Sequence, residues 1–356
     1  MNTPDTQKLI QIAECFALEG KITGIKPLGN GLINDTFLVS TDGPDNYVLQ
    51  RINNAIFRDV ELLQHNIECA TAHIRKKGRR TLTFLPCKQS GKTYWTDGQT
   101  YWRVSVFIKD SYTYETIDPK YSYLAGKTFG DFEALLADIP DTLGETIPDF
   151  HNMELRARQL HEAVEADAAG RMAEPEVKEI LAALLPFEEE MCKAEVLYRQ
   201  GILPKRICHC DTKVNNMLFD AEGNIVCVID LDTLMPSFVF SDFGDFLRSA
   251  ANTVAEDDPD TAKVDFKMDI FEAFAKGYIE GTKSFLTPIE KENLPYAACL
   301  FPYMQAVRFF TDYINGDTYY KIKYPEHNLV RTRNQLALFR AAYAKVPQMK
   351  AIIEGA

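Results

Sequence analysis

His209-Cys210-Asp211-Thr212-Lys213-Val214-Asn215-Asn216, followed after a short apolar stretch by Ile229-Asp230-Leu231-Asp232, is the most informative segment of the chain. A buried strand that ends in acids is costly unless those acids meet a cation or hydrogen-bond donors. Here one carboxylate (Asp211), one amide (Asn216) and a second carboxylate (Asp230) fall within about twenty residues. Hard divalent cations such as magnesium take oxygen ligands and share them with phosphate, so an Asp and an Asn holding an ion beside an unliganded Asp suit phosphoryl transfer. The stretch between them reads as a hairpin from Met217 to Ile229, turned at Glu222-Gly223-Asn224.

Upstream, the periodicity divides the chain. Asp5 to Leu18 places Leu9, Ile12, Ala13 and Phe16 at helical spacing and stops at Gly20. From Ile22 to Ile52 the period becomes that of strands, with Gly29-Asn30-Gly31 and Asp42-Gly43-Pro44 as turns, which predicts a three-stranded antiparallel meander. Arg58 to Lys77 is helical again, with Arg75, Lys76 and Lys77 at the end of the helix where cations suit the dipole. Thr81–Leu85 and Tyr101–Ile108 are expected to complete five strands. Helical patterns follow near 120–137, 174–200, 262–284, 290–315 and 327–346, broken only by the hairpin. The expected class is α+β: a small five-stranded lobe with one internal helix over 1–109, and a larger helical lobe over 110–356 that holds the catalytic loop and the acceptor site.

Composition agrees with a folded protein: hydrophobic residues make up 46% and charged residues 25% of 356, too apolar for a disordered chain. The net charge of −12 argues against nucleic acid or an anionic membrane as the main partner. Met1 to Ile10 shows no basic segment before an apolar run, and no stretch approaches the ~20 apolar residues a membrane helix needs. Eight scattered cysteines form neither a disulfide framework nor a paired zinc motif, so buried thiols in the cytoplasm are expected. Arg75 to Arg80 reads as a solvated helix end, and His151 and His161 receive no role.

The spacing His209-x-Asp211-x-Lys213-x-x-Asn216, with Asp230 placed 19 residues after Asp211, resembles the catalytic loop and metal-binding Asp of the kinase superfamily. Ser241-Asp242-Phe243-Gly244-Asp245 contains a literal Asp-Phe-Gly, but Asp242 does not directly follow the hairpin strand. The whole chain is similar to the aminoglycoside phosphotransferase and choline kinase family. The run Lys323-Tyr324-Pro325-Glu326-His327-Asn328-Leu329-Val330-Arg331-Thr332-Arg333, with Ile229-Asp230-Leu231-Asp232-Thr233-x-Met235-Pro236, resembles members that phosphorylate N-acetylhexosamines at the anomeric hydroxyl.

That resemblance implies a bilobal protein-kinase-like fold using ATP and Mg2+. It makes Asp211 the base at the acceptor hydroxyl, Lys213 a group facing the transferred phosphoryl, and Asn216 and Asp230 the metal ligands. His209, Asp232, Asp242 and Asp245 would support them, Asp242 by bracing the catalytic loop. Gly29, Gly31 and Asn34 match two glycines and the third place of a phosphate-covering loop. The strand Tyr47-Val48-Leu49-Gln50-Arg51 lacks the usual phosphate-binding Lys, leaving Gln50 or Arg51 to substitute, with Glu68 as the expected partner of a cation there. Thr233, Arg308 and Tyr319 match sugar contacts; a guanidinium serves several oxygens and an aromatic ring stacks on a pyranose. The expected partners are a nucleotide and a small sugar acceptor such as GlcNAc or GalNAc. Choline, homoserine, fructosamine or an aminoglycoside stand as other acceptors, and a catalytically silent binding protein as the rival class.

Overall fold

The computed structural model describes residues 5–29 and 34–356, which fall into two units. The first runs to Thr113 and includes 138–148 and 217–235; the second holds 114–137, 149–216 and 236–356. The expected boundary at 109 lies close to the first crossing, but two segments expected in the helical lobe pack with the first unit instead.

Helix α1 (Thr6–Glu14) precedes a five-stranded sheet of order β1 (Ile22–Pro27), β2 (Asp35–Thr41), β3 (Tyr47–Ile52), β5 (Tyr101–Val106), β4 (Trp95–Thr96), antiparallel at every pairing. Alternation explains its faces. Phe37, Leu49 and Val104 stand in one cross-strand row and bury against Leu9, Ile12 and Phe16 at the start of the chain. Thr36, Gln50 and Arg103 form the neighbouring polar row. Between β3 and the last two strands lies α2 (Val60–Lys76), whose N-cap Asp59 accepts the N–H of Leu62 at 2.9 Å. Thr81–Leu85, expected as a strand, makes only an isolated bridge from Phe84 to Ser105; the two-residue β4 takes the edge place. The tight turn from Asp97 explains the swap, because its carboxylate accepts the N–H groups of Gln99 and Thr100 and folds 95–101 into a hairpin.

Buried amides stitch the two later segments into this unit. Asn66 donates to the carbonyls of Gly144 (2.7 Å) and Leu234 (2.9 Å), and the Thr146 hydroxyl donates to the Asp232 carbonyl at 3.1 Å. Met217–Phe219 and Ile225–Val228 form the expected hairpin, and Phe219 exchanges backbone bonds with Tyr112.

The second unit is helical. Its main elements are α3 (Pro119–Leu136), α4 (Met153–Ala166), α5 (Pro175–Leu184), the short α6 (Glu188–Met191) and α7 (Lys193–Arg199), α8 (Val239–Ala250), α9 (Met268–Thr282), α10 (Pro288–Glu292), α11 (Leu294–Ile314), α12 (His327–Ala344) and α13 (Val346–Gly355). The segment read as one helix over 174–200 is broken at Pro186, and α4, α8 and α13 were not expected. Helices α3 and α9 cross closely because glycines face each other: a Cβ on Gly126 would lie 2.1 Å from the Phe274 carbonyl, and one on Gly277 would lie 2.1 Å from that of Tyr123. Among the described residues no helix is long and apolar enough to cross a membrane, and all eight cysteines are free thiols.

Candidate active site

The approach of α3 and α9 sets the frame for the catalytic loop. Tyr278 of α9 donates its hydroxyl to Glu133 Oε1 of α3 at 2.7 Å, both fully enclosed. Glu133 stands beside Asp242, in the first turn of α8, and Cys208. Two carboxyl groups this close in dry surroundings cannot both ionise. Burial, and then the Asp242 charge, push the Glu133 carboxyl well above its ordinary value, so Glu133 carries the proton. Burial also raises Asp242, against the His209 ring and the N–H groups that the Asp242 carboxylate accepts. Those donors are the backbone N–H of His209 at 2.8 Å and of Cys210 at 2.7 Å. The Thr212 hydroxyl donates to the Asp242 carbonyl at 2.7 Å, and the Thr212 N–H donates to Asp245 Oδ2 at 3.2 Å. The start of α8 thus grips the loop at four points. With both Asp242 oxygens taken by amides, the Glu133, Cys208 and Asp242 group offers little to a metal ion.

On the loop itself Cys210 adopts φ +62, a left-handed conformation rare for a side chain of this kind, and the grip on its N–H holds it there. His209 is buried edge-on against Phe129 and Phe132, with ring centroids at 5.3 and 6.1 Å, and its Nδ1 accepts the Asp211 N–H at 3.3 Å. Lys213 Nζ lies 2.9 Å from Asp211 Oδ2, and Asn216 Nδ2 donates to the Asp211 carbonyl at 2.8 Å and to Oδ2 at 3.2 Å. Burial pushes the Asp211 carboxyl up. The Lys213 ammonium, the His209 ring and the two hydrogen bonds outweigh it and keep Asp211 ionised below the ordinary aspartate value. Asp245 goes the other way: burial, opposed by Arg248 and reinforced by Asp211, raises it to about 7. The strand leading to the loop, Arg206–Cys208, is anchored by Arg206, which pairs with buried Glu290 at 2.9 and 3.0 Å.

Asp230 lies in the first unit, at φ +60, at the head of the single turn Leu231–Thr233. Next to it Asp232 is buried and pairs with Arg103 Nη1 at 2.5 Å; its other oxygen accepts from Asn34 Nδ2 at 2.5 Å. Arg103 also donates to Gln50 Oε1 at 3.0 Å and to Gln64 Oε1 at 3.3 Å. The buried cation of the sheet therefore comes from β5. Gln50 is its acceptor, and Arg51 reaches Asp35 at 3.4 Å on the half-exposed edge. Glu68 accepts the Thr93 hydroxyl and, among the described residues, pairs with no cation. Asn34 also accepts the Asn53 N–H at 2.9 Å, Gly29 has φ +71, and Gly31 lies outside the described residues. Arg103 and Gln64 were missed; an Arg at an inward strand position beside Trp102 was the signal. By donor chemistry, the Asn216 amide oxygen in the second unit and the Asp230 carboxylate in the first are each of the hard kind that magnesium takes.

Of the remaining expected residues, Arg308 and Tyr319 lie in the second unit. Arg308 of α11 and Tyr319 line a cavity of about 500 Å³ with Arg156, Gln159, Thr311 and Tyr320. Asp312 shapes this cavity: its carboxylate accepts the N–H groups of Thr318, Tyr319 and Tyr320 and the Asn328 side-chain amide, all at 2.8 to 2.9 Å. Asn328 also donates to Asp317 (2.8 Å), which pairs with Arg171 at 2.6 Å. Thus the 323–333 run fixes the turn carrying Tyr319. Thr233 lies in the first unit, closing the turn after Asp230.

Residues 24–281 match the model of the phosphotransferase enzyme family. Among solved structures, the chain is similar to an aminoglycoside phosphotransferase from Alicyclobacillus acidocaldarius, at 14% identity with 100% of this chain and 98% of that one covered and a TM-score of 0.63. A spectinomycin phosphotransferase in complex with ADP and spectinomycin gives 12% identity, 96% and 99% coverage and a TM-score of 0.59. The choline kinase LicA from Streptococcus pneumoniae gives 14%, 95% and 99%, and 0.56. The five-stranded antiparallel unit and the helical unit have the fold of these structures, and the match over 24–281 makes this chain a member of the phosphotransferase enzyme family.

Proposed function

We propose that this protein transfers the terminal phosphoryl group of ATP, with magnesium, to a hydroxyl of an N-acetylhexosamine, most simply the anomeric one, giving the sugar 1-phosphate. The observation that carries the chemistry is the state of Asp211: an ionised carboxylate whose Oδ2 is fixed by Lys213 and Asn216 on a loop gripped at four points. A carboxylate so held orients an acceptor hydroxyl and takes its proton as the bond to phosphorus forms. Lys213, already within reach of that oxygen, supplies positive charge where the transferred group gathers negative charge. The metal, held by Asn216 and Asp230, would neutralise the phosphates. His209 holds the loop and takes no part in moving the proton.

The acceptor reading rests on the cavity beside Arg308. Its volume of about 500 Å³ falls in the usual ~300–1,000 Å³ range for small-molecule sites. Tyr319 is 73% exposed, which leaves a ring face open to stack on a pyranose. Two arginines in the lining disfavour a cationic acceptor such as choline or an aminoglycoside. The test is ADP release with MgATP against N-acetylglucosamine, N-acetylgalactosamine, choline, homoserine, fructosamine and an aminoglycoside. Turnover on the N-acetylhexosamines supports the reading, and turnover confined to the amino alcohols or aminoglycoside overturns the acceptor. Absence of acceptor-dependent release with every compound favours the silent binding protein.

A further inference from the structure

The acceptor cavity is lined by two arginines, Arg156 and Arg308, and two acids, Glu162 and Asp312, yet among the described residues neither acid pairs with either arginine. Arg156 donates Nη1 to Gln159 Oε1 at 3.0 Å and Nη2 to the carbonyls of Asp149 (3.2 Å) and Phe150 (2.8 Å), while its Nε is buried with no hydrogen-bond partner among the described residues. Arg308 makes one side-chain bond, to Gln305 at 3.3 Å, and its guanidinium sits 5.8 Å from the Phe150 ring and 5.7 Å from that of Tyr320. Among the described residues neither has an ion pair. Elsewhere in the same unit the half-buried arginines are paired: Arg171 with Asp317, Arg206 with Glu290, Arg248 with Glu256.

The nearby acids are otherwise occupied. Asp312 spends both oxygens on the amides of the Tyr319 turn, the Asp149 carboxylate accepts from Asn152 at 2.7 Å, and Glu162 is exposed at the rim. His151 adds no further positive charge, because burial and the charge of Arg308 hold it neutral. Burial and the same Arg308 charge lower Arg156 to about 10, so the two guanidiniums sense each other. Two such groups with no anion between them are costly, and a neutral ligand would leave that cost in place.

We infer that Arg156 and Arg308 form an anion-recognition subsite of the acceptor cavity, so that the preferred acceptor carries a carboxylate, phosphate or sulfate group besides the hydroxyl that is phosphorylated. The inference rests on the proposed kinase reading and sharpens its acceptor: an N-acetylhexosamine ring with an acidic substituent. A planar guanidinium meets such a group with paired hydrogen bonds, and Tyr319 remains available to the ring.

The experiment uses the full chain and two readouts. In the first, ADP release is followed with N-acetylglucosamine, its 6-phosphate, its 6-sulfate and the corresponding 6-carboxylate. The charged sugars should show a KM about ten-fold or more below that of the neutral one, the scale of one charge-assisted bidentate contact. The best of the three identifies the anion. In R156Q and in R308Q that preference should collapse toward unity, with circular dichroism showing that each variant folds. In the second, calorimetric titration with inorganic sulfate and with inorganic phosphate should detect binding to the wild type and none to the double variant R156Q/R308Q. A neutral sugar preferred over all three charged ones, or a charge preference that survives both variants, overturns the inference while leaving the kinase reading intact. Failure of every acceptor to release ADP removes the kinase reading; the sulfate and phosphate titrations then still decide whether the arginines bind an anion.

Discussion

Replacing Asp242 by alanine tests how the catalytic loop is held. The substitution removes the acceptor of two buried N–H groups, those of His209 and Cys210, at 2.8 and 2.7 Å. Each orphaned buried donor costs about 1–3 kcal/mol, so the two together amount to about 2–6 kcal/mol, a large share of the ~5–15 kcal/mol by which a domain is stable. Cys210 at φ +62 then loses the bond that keeps it there, and Asp211 moves with it. A displacement of about 1 Å at the reacting carboxylate is enough for a ~100-fold loss of rate. The direct assay is amide hydrogen exchange with a urea titration: the His209 and Cys210 amides should exchange about 30- to 20,000-fold faster in D242A, the equivalent of those energies, and D242N, which keeps one acceptor oxygen, should fall between. Protection within three-fold of the wild type, with stability changed by less than about 0.5 kcal/mol, would refute the reasoning.

Glu133→Gln copies a carboxyl group that already carries its proton, so E133Q should stay within about 1 kcal/mol of the wild type, whereas E133A, which opens a cavity and leaves the Tyr278 hydroxyl only the Val239 carbonyl at 3.3 Å, should cost about 2–4 kcal/mol in a denaturation experiment. Asp245, raised from 3.8 to about 7, binds a proton on folding between those values, so its contribution to stability falls as pH rises from about 4 to 7. Thermal melts should show D245N gaining about 2–3 kcal/mol on the wild type between pH 5 and pH 8; no change with pH contradicts the assignment. Arg103→Met strands buried Asp232 without its cation and should cost about 3–5 kcal/mol, much of it recovered in R103M/D232N.

What the sequence disclosed follows the range of each interaction. The spacing of His209, Asp211, Lys213 and Asn216 is legible because the loop bonds are local: Asn216 reaches Asp211 five residues back, and Lys213 two. The meander and the hairpin show their period directly. Arg103 stayed hidden because its meaning comes from register: it stands opposite Gln50 in the sheet and meets Asp232 far along the chain. Trp95–Thr96 was passed over because two residues carry no alternation, while Thr81–Leu85 has strand composition but only one bridge. Helix α8 carries a polar stripe at helical spacing, Ser241, Asp242, Asp245, Arg248 and Ser249, which was passed over because its Asp-Phe-Gly invites the wrong comparison. Arg156 belongs to no motif and gains its character only from Arg308 across the cavity.

The central claim is that Asp211 directs the acceptor hydroxyl while taking no part in holding the nucleotide. Single-turnover transfer from γ-labelled ATP to the acceptor that supports ADP release, compared between wild type and D211N together with calorimetric MgATP affinity, addresses it most directly. Asp211→Asn should lower the transfer rate by ~100-fold or more, the scale of a lost general base, with MgATP affinity changed by less than about three-fold. Transfer at the wild-type rate in D211N would contradict the account.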